Sequence, residues 1–234
     1  MSRIEQAQDK ILGILADKID DFYLLGGTAL AKFYLHHRLS EDLDFFTRKF
    51  DYHRIQEIKA LLSAAVKKPI EVVQERLMPG KMVKLCIYYI PLSEKHGLKI
   101  DFVEDVVKPL KEFHRVNGIN VMSLEDIYLR KIHAVTGTQP QIDLTGRKAH
   151  SGRQVAKDFY DLYFLSHTFR NLSDFALKYC DNNQWEGLIY WFRTYSRQEI
   201  KEGLMDLMTF KKFDFQLMER HFKKEIDRLI EQIT

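Results

Sequence analysis

The chain has 234 residues, of which 45% are hydrophobic and 29% are charged, and its formal net charge at pH 7 is +3. These values are ordinary for a globular protein and allow one large domain or two small ones. The sequence contains neither a membrane-length apolar stretch nor a signal-peptide core, and its two cysteines exclude a disulfide framework, so we expect a cytoplasmic protein without a membrane partner.

The first half of the chain predicts alternating helices and strands. Apolar residues at helical spacing predict a helix over residues 4–18, and the apolar run Phe22–Leu25 predicts a short strand. Pro79 and Gly80 separate two segments rich in β-forming residues and therefore indicate a hairpin. The other segments of this half are predicted as a helix at about 52–66 and strands at 70–78, 82–90, 98–103 and 119–122.

Residues 25–46 contain the most informative pattern. The Gly-Gly-Thr sequence at 26–28 follows a predicted strand and precedes an amphipathic segment. Glycines let the backbone approach a polyphosphate, and a helix N-terminus behind them offers free N–H groups. On a strand, Asp42 and Asp44 would share one face and reach one divalent cation or a pair. Taken separately, the glycines are also typical of a tight turn, and the two aspartates of a solvated strand edge.

The order and spacing of these features resemble the signature of the nucleotidyltransferase superfamily. The segment looks specifically like the AbiEii/AbiGii toxin branch, and the resemblance extends over roughly residues 22–165. It implies an NTP substrate and a Mg²⁺ or Mn²⁺ ion held by Asp42, Asp44 and Asp101. The nucleotide contacts that it implies are Gly26, Gly27, Thr28, Ser40, Lys131 and Arg153.

The strand predicted at 98–103 supplies the third carboxylate. Every second residue of this segment is apolar, so Lys99 and Asp101 share its polar face. The resemblance places here the acid that helps to hold the metal ion next to the acceptor hydroxyl, whose pKa that ion lowers. A salt bridge from Asp101 to Lys99 or Lys84 is the structural alternative.

From Ser123 onward the apolar spacing is helical nearly to the end of the chain, and Ser123 itself is a predicted helix N-cap. The apolar stripe that follows contains Lys131. A lysine on a packing face is unfavourable unless its ammonium reaches a partner or solvent. The resemblance implies that Lys131 binds the triphosphate, and extension to solvent is the alternative.

The segment 155–165 is apolar or aromatic at almost every position, which predicts a helix buried on most sides. Asp158 and Asp161 share one face of this helix and need partners, for which Arg153, Lys157 and Lys131 are the candidates. The order of Arg153 and Asp158 resembles the last motif of the family. It implies that Asp158 is a catalytic base or orients Lys131, and a purely structural ion pair is the alternative.

Two further regions carry weaker signals. Residues 136–152 contain glycines and basic residues and predict a mobile loop that closes over nucleotide or meets RNA phosphates. The net charge permits RNA binding but does not indicate it. Aromatic residues at 185–195 predict a packed core, with a partner-binding patch as the alternative.

We predict an α+β (mixed α/β) protein, with a nucleotidyltransferase core at 1–122 and a helical domain at 123–234 that completes the active-site cleft. The predicted reaction is the metal-dependent transfer of an NMP from an NTP to an acceptor hydroxyl, with release of pyrophosphate. The resemblance implies an RNA end, such as that of tRNA, as acceptor and a cognate antitoxin as partner in a toxin–antitoxin or abortive-infection pair. The alternatives are an antibiotic-type small-molecule nucleotidyltransferase and a non-catalytic nucleotide-binding module that acts through a protein partner.

Overall fold

The computed structural model describes residues 2–78, 82–92, 97–137, 141–142, 148–149 and 152–234. The chain forms two compact units. The first unit comprises Met1–Tyr34 and Ser40–Asp126, and the second comprises Leu35–Leu39 and Ile127–Thr234. The short segment Leu35–Leu39 therefore belongs to the second unit, although its flanking residues on both sides belong to the first.

A mixed sheet forms the centre of the first unit. Its strands are β1 (Tyr23–Leu25), β2 (Leu43–Thr47), β3 (Glu71–Arg76), β4 (Leu85–Pro91), β5 (Gly97–Glu104), β6 (His114–Val116) and β7 (Ile119–Val121). Seven of the described strands lie in the order β3-β4-β5-β2-β1-β7-β6. Strand β2 is antiparallel to β1 and parallel to β5, and β1 is parallel to β7. The predicted mixed α/β fold with a mixed sheet is confirmed.

The two central strands have one apolar and one polar face. Leu43 and Phe45 of β2 are buried, as are Ile100 and Phe102 of β5, whereas the side chains between them are only partly buried. Helices α1 (Arg3–Leu15) and α3 (Tyr52–Val66) belong to the same unit, and α1 contacts both α3 and β5. The alternation that the sequence predicts therefore determines which side chains of β2 and β5 are left on the polar face.

The first glycine turn leads directly into a helix. Helix α2 (Gly26–Ala29) follows β1 and continues as a π-helix over Leu30–Leu35. Near the end of this segment the Tyr34 hydroxyl donates a hydrogen bond to the carbonyl oxygen of Met122, at 2.7 Å. Burial, with a contribution from Glu125, raises the pKa of Tyr34 to about 12, so this hydroxyl remains a donor at neutral pH.

Most predicted elements of the first unit are present, with local differences. Strands β3 and β4 are antiparallel neighbours, which confirms the predicted hairpin, while its turn at 79–81 lies outside the described residues. The sequence does not predict β6, because His114 and Arg115 are exposed polar residues without apolar alternation. Strand β2 begins at Leu43, so Asp42 precedes the strand rather than lying on it.

The second unit consists mainly of helices. They are α4 (Leu124–Thr136, which begins in the first unit), α5 (Ala156–Thr168), α6 (Leu172–Tyr179), α7 (Asn182–Thr194), α8 (Arg197–Asp206) and α9 (Phe215–Ile233). At the start of α4 the Ser123 hydroxyl accepts a hydrogen bond from the backbone N–H of Asp126, which confirms the predicted N-cap. Helix α5 is buried on most sides, as its composition predicts.

An aromatic cluster forms the core of the second unit. The ring of Phe159 lies 4.8 Å from that of Phe222 and 5.9 Å from that of Trp191, measured between centroids. Tyr195 is also buried, whereas Tyr190 is exposed. The prediction that the aromatic residues at 185–195 build a core is confirmed for Trp191 and Tyr195.

Three observations concern the remaining predictions. Cys86 and Cys180 are free thiols. No helix in the described part of the chain is long and apolar enough to cross a membrane. The predicted basic loop at 136–152 lies largely outside the described residues; within it, the strands β8 (Gln141–Ile142) and β9 (Lys148–Ala149) pair antiparallel.

Candidate functional site

The pairing of β2 with β5 brings two predicted metal ligands side by side. The strands are parallel, and their register places Asp44 directly opposite Asp101. Both residues lie on the face opposite to the buried residues of these strands. Asp42 is also partly exposed, just before β2. We call the three carboxylates Asp42, Asp44 and Asp101, together with Lys99, the acidic edge.

The glycine turn is shaped around Asp44. Because β1 is antiparallel to β2 and Leu25 pairs with Asp44, the residue after Leu25 lies beside the Asp44 carboxylate. Gly26 has φ +82°, and a Cβ added there would lie 2.3 Å from Oδ2 of Asp44. Two features therefore favour glycine at this position: its backbone conformation and the close approach of a carboxylate.

Thr28 and Ser40 hold the backbone around Asp42. The buried Thr28 hydroxyl donates a hydrogen bond to the carbonyl oxygen of Asp42. The carbonyl oxygen of Ser40 accepts a hydrogen bond of 2.7 Å from the side-chain amide of Gln8, on α1. These contacts fix the segment that carries Asp42, while the predicted contacts of Gly27, Thr28 and Ser40 with nucleotide stay predictions.

Lys99 lies between two of the carboxylates. Its ammonium nitrogen is 2.9 Å from Oδ2 of Asp101 and 3.4 Å from Oδ2 of Asp42. This is the salt bridge that the sequence offered as an alternative for Asp101. Lys84, the other candidate, lies 3.8 Å from Glu104 instead.

The pKa values of Asp101 and Lys99 are both raised in the acidic edge. Burial raises the pKa of Asp101, and the nearby Lys99 only partly offsets this effect. For Lys99, burial alone would lower the pKa, but hydrogen bonding to Asp101 and the fields of Asp101, Asp42 and Asp44 raise it. Lys99 is therefore charged at neutral pH, while ionised Asp101 is disfavoured by its surroundings.

The donor set of the acidic edge fits a hard divalent cation. Carboxylate oxygens are the ligands that Mg²⁺ and Mn²⁺ prefer, and Oδ1 of Asp101 is buried without a hydrogen-bond partner in the described chain. In the present side-chain positions, no three His, Cys, Asp or Glu side chains of the described residues converge closely enough to hold a metal ion. Lys99 instead holds Asp42 and Asp101 by their Oδ2 atoms.

A second group of charges lies in the second unit. Lys131, on α4, places its ammonium 2.8 Å from Oδ1 of Asp158 and 2.7 Å from Oδ2 of Asp161, both on α5. Its side chain is only 8% exposed, and both carboxylates are fully buried. Arg153, whose side chain is 55% exposed, lies 3.0 Å from Oδ2 of Asp158. Lys131 thus ends on two carboxylates and does not extend to solvent.

Sequence analysis missed two members of this group. Arg38 binds Asp161 with both Nε and Nη2, at 2.6 and 2.7 Å, and Nε2 of His37 lies 2.8 Å from the same carboxylate. They follow the helical segment, which ends at Leu35, and both side chains are buried. The sequence feature that could have indicated such partners is the charge of Asp161 in an otherwise apolar helix.

We call His37, Arg38, Lys131, Asp158 and Asp161 the buried ion cluster. Burial would raise the pKa of Asp161, but Lys131, Arg38 and His37 together hold that pKa well below its usual value. Burial would likewise lower the pKa of Lys131, and the two carboxylates raise it. The pKa of His37 is lowered by burial despite its contact with Asp161, so its imidazole is neutral at pH 7.

The two groups can do different chemistry. In the acidic edge, the ammonium of Lys99 holds Asp42 and Asp101, and Oδ1 of Asp101 is buried without a hydrogen bond in the described chain. Such a cluster of acids attracts cations. In the buried ion cluster, the charges of Asp158 and Asp161 are matched by those of Arg38 and Lys131. The carboxylates of the first group are of the kind that a divalent cation prefers, and the ion pairs of the second group link α4, α5 and the segment Leu35–Leu39.

Comparison with known proteins gives a family match over nearly the whole chain. The family described as "Nucleotidyl transferase AbiEii toxin, Type IV TA system" matches residues 11–233. Among curated proteins, none matches this chain.

Two solved structures share the fold. The crystal structure of JHP933 from Helicobacter pylori is similar with a TM-score of 0.57 at 18% identity, over 98% of this chain and 93% of JHP933. MenT4, a nucleotidyltransferase toxin from Mycobacterium tuberculosis, is similar with a TM-score of 0.53 at 14% identity, over 97% of this chain and 83% of MenT4. At these identities the similarity shows the fold alone.

Proposed function

Because the chain belongs to the AbiEii family of nucleotidyltransferase toxins of type IV toxin–antitoxin systems, we propose that it transfers an NMP from an NTP to the hydroxyl of an RNA end. The oxygen of the acceptor hydroxyl forms a bond to the α-phosphorus, and the bond from that phosphorus to pyrophosphate breaks. In this reaction the protein mainly positions the reactants and stabilises developing charge.

The observation that carries the proposal is the register of β2 and β5. It places Asp44 opposite Asp101 on one face, next to a glycine turn whose shape leaves room for a carboxylate. Neighbouring carboxylates raise each other's pKa unless a cation lies close by, so such a group favours the binding of a cation. Lys99 supplies one positive charge, which lies next to Asp42 and Asp101.

The proposed roles follow from this arrangement. Asp42, Asp44 and Asp101 would hold Mg²⁺ or Mn²⁺, which supplies charge neutralisation on the triphosphate and lowers the pKa of the acceptor hydroxyl. Gly26 and Gly27 would let the backbone come close to the phosphates. The buried hydroxyl of Thr28 binds the Asp42 carbonyl, so we assign its side chain to positioning Asp42.

Lys131 and Asp158 complete the proposal in the second unit. The contacts between their side chains support the interpretation in which Asp158 orients Lys131. The ammonium of Lys131 keeps a full positive charge, because the carboxylates raise its pKa. We propose that this charge, with that of the more exposed Arg153, acts on the triphosphate.

The family also implies a partner. A type IV toxin is paired with a cognate antitoxin protein, and an NTP is the substrate of a nucleotidyltransferase. An RNA acceptor, tRNA in particular, and a cytoplasmic location are further parts of our proposal.

The decisive experiment is transfer from each labelled NTP to total RNA in the presence of Mg²⁺. We expect one or more nucleotides to label RNA with the wild-type chain. Asp44→Asn and Asp42→Asn should reduce the rate by about 100-fold or more, because each removes a ligand charge without changing side-chain size. Glu41→Gln is the matched control, since Glu41 is exposed and immediately precedes Asp42.

The other outcomes separate the alternatives. Labelling of an aminoglycoside-type small molecule but not of RNA would favour an antibiotic-type nucleotidyltransferase. NTP binding without transfer to either acceptor would favour a binding module that acts through a protein partner. If both aspartate variants label RNA as fast as Glu41→Gln, the acidic edge is not the active site.

A further inference from the structure

The position of Lys99 in the acidic edge has a consequence for cation binding. Lys99 and Asp101 are two residues apart on β5, so both side chains leave the same face of the strand. The ammonium bridges Oδ2 of Asp101 and Oδ2 of Asp42, at 2.9 and 3.4 Å. One positive charge therefore lies between two of the three carboxylates that would ligate a metal ion.

Two further observations indicate that this bridge is not the final state of the acidic edge. Oδ1 of Asp101 is buried and makes no hydrogen bond in the described chain, so the bridge leaves part of this carboxylate unsatisfied. The side chain of Lys99 is also 35% exposed. A lysine with access to solvent can move its ammonium into water at low cost, since its stem is flexible and its hydration is strong.

We propose that Lys99 is a positioning residue that acts as an exchangeable counter-ion of the metal site. In the metal-free protein its ammonium holds Asp42 and Asp101 near each other, and an entering divalent cation displaces it towards solvent. The inference rests on the proposed function, because it takes Asp42, Asp44 and Asp101 as the metal ligands.

Lys99 and the metal ion would then compete for the same carboxylates. An ammonium and a divalent cation cannot occupy the same space between Asp42 and Asp101, and each repels the other. Removing the charge of Lys99 should therefore tighten metal binding while it leaves the metal-free carboxylates without their counter-ion. A lysine that served only the fold would change stability but not metal affinity.

The test is Mn²⁺ binding to the full chain without nucleotide, followed by the electron paramagnetic resonance signal of free Mn²⁺. We expect Lys99→Met and Lys99→Gln each to lower the Kd for Mn²⁺ by about 5-fold or more. Lys99→Arg, which keeps the charge, should remain near the wild type. Lys84→Met is the matched control, because Lys84 forms an ion pair with Glu104 in the same sheet and should leave Mn²⁺ binding unchanged.

A thermal melt of each variant without metal shows whether it is folded. If one of the two neutral variants fails to fold, the other can still be tested. If Mn²⁺ binds the neutral variants as it binds wild type, or more weakly, Lys99 is not an exchangeable counter-ion. The proposed metal site is tested separately by Asp101→Asn. If the wild type binds no Mn²⁺, or Asp101→Asn binds it as the wild type does, both the metal site and this inference are wrong.

Discussion

The acidic edge and the buried ion cluster each contain an aspartate whose pKa is affected by burial, Asp101 and Asp161, yet these two pKa values move in opposite directions. At the acidic edge, burial raises the pKa of Asp101 and one lysine only partly opposes it. In the buried ion cluster, Lys131 and Arg38 overcome the effect of burial and hold the pKa of Asp161 well below its usual value. The difference lies in the number of cations that each carboxylate has nearby.

Asp101 and Asp161 therefore differ in how completely nearby cations offset the effect of burial. A carboxylate whose charge is incompletely matched costs free energy in the absence of a cation, and binding of that cation recovers it. A buried carboxylate that is fully matched is costly only when a partner is removed. The same substitution should therefore have different effects in the two regions.

The largest expected effect is on stability in the buried ion cluster. Asp161→Asn should lower the free energy of unfolding by about 3–5 kcal/mol, since it leaves Arg38 buried without its bidentate partner. Asp101→Asn should change it by about 1 kcal/mol or less, because Lys99 can still pair with Asp42. Urea denaturation of both variants measures the contrast, and equal losses would contradict the distinction between the two regions.

Lys131→Met tests the cation of the same cluster. We expect a loss of about 3 kcal/mol, because Asp158 and Asp161 lose a shared partner while Arg153 and Arg38 remain. The exposed Lys157 on the same helix is the control, and Lys157→Met should stay within about 0.5 kcal/mol of the wild type.

Thermal shift with NTP added to Lys131→Met separates the two roles of this lysine. If Lys131→Met is as stable as the wild type without NTP but is no longer stabilised when NTP is added, Lys131 binds the nucleotide and its ion pairs do not stabilise the fold.

Gly26→Ala has a smaller expected effect and acts on the acidic edge. The left-handed backbone at Gly26 should cost about 1–2 kcal/mol for a residue with a Cβ. That Cβ also has to displace the Asp44 carboxylate, so transfer should fall more than stability does. Gly13→Ala in α1 is the control: its Cβ meets no atom within 4 Å, and it should gain about 0.5–1 kcal/mol. Full transfer activity of Gly26→Ala would remove Asp44 from the site.

The smallest expected effect is the pH dependence due to His37. Its pKa is lowered in the folded state, so the unfolded state, with a histidine pKa of about 6.5, takes up the proton first. The stability contributed by the neutral imidazole is therefore lost as the pH falls below about 6.5. Asp161 does not contribute in this range, because its folded pKa lies below its unfolded value of about 3.9.

Replacement of His37 should flatten this dependence. The wild type should lose stability between about pH 7 and about pH 5. The free energy of unfolding of His37→Gln should fall by about 1 kcal/mol less over the same range. Urea denaturation at both pH values measures the change. His36→Gln is the control, since His36 is exposed. An unchanged difference between the two pH values would mean that His37 titrates outside this range.

Local sequence patterns were sufficient for much of the first unit. Alternation in the segment 98–103 correctly placed Lys99 and Asp101 on one face, because successive side chains of a strand point to opposite sides whatever the strand pairs with. The helix predicted at 52–66 coincides with α3, since apolar spacing is a local signal. The family motif likewise consists of residues close together in the chain.

The partners of these residues depend on contacts between distant parts of the chain. Local periodicity contains no information on strand order, so the pairing of Asp44 with Asp101 comes only from the parallel register of β2 and β5. The bond from Arg38 to Asp161 joins residues 123 positions apart. Sequence by itself determined which charged side chains occur on which faces. The tertiary structure decided which charges lie next to one another, because that depends on distances between elements that no local pattern specifies.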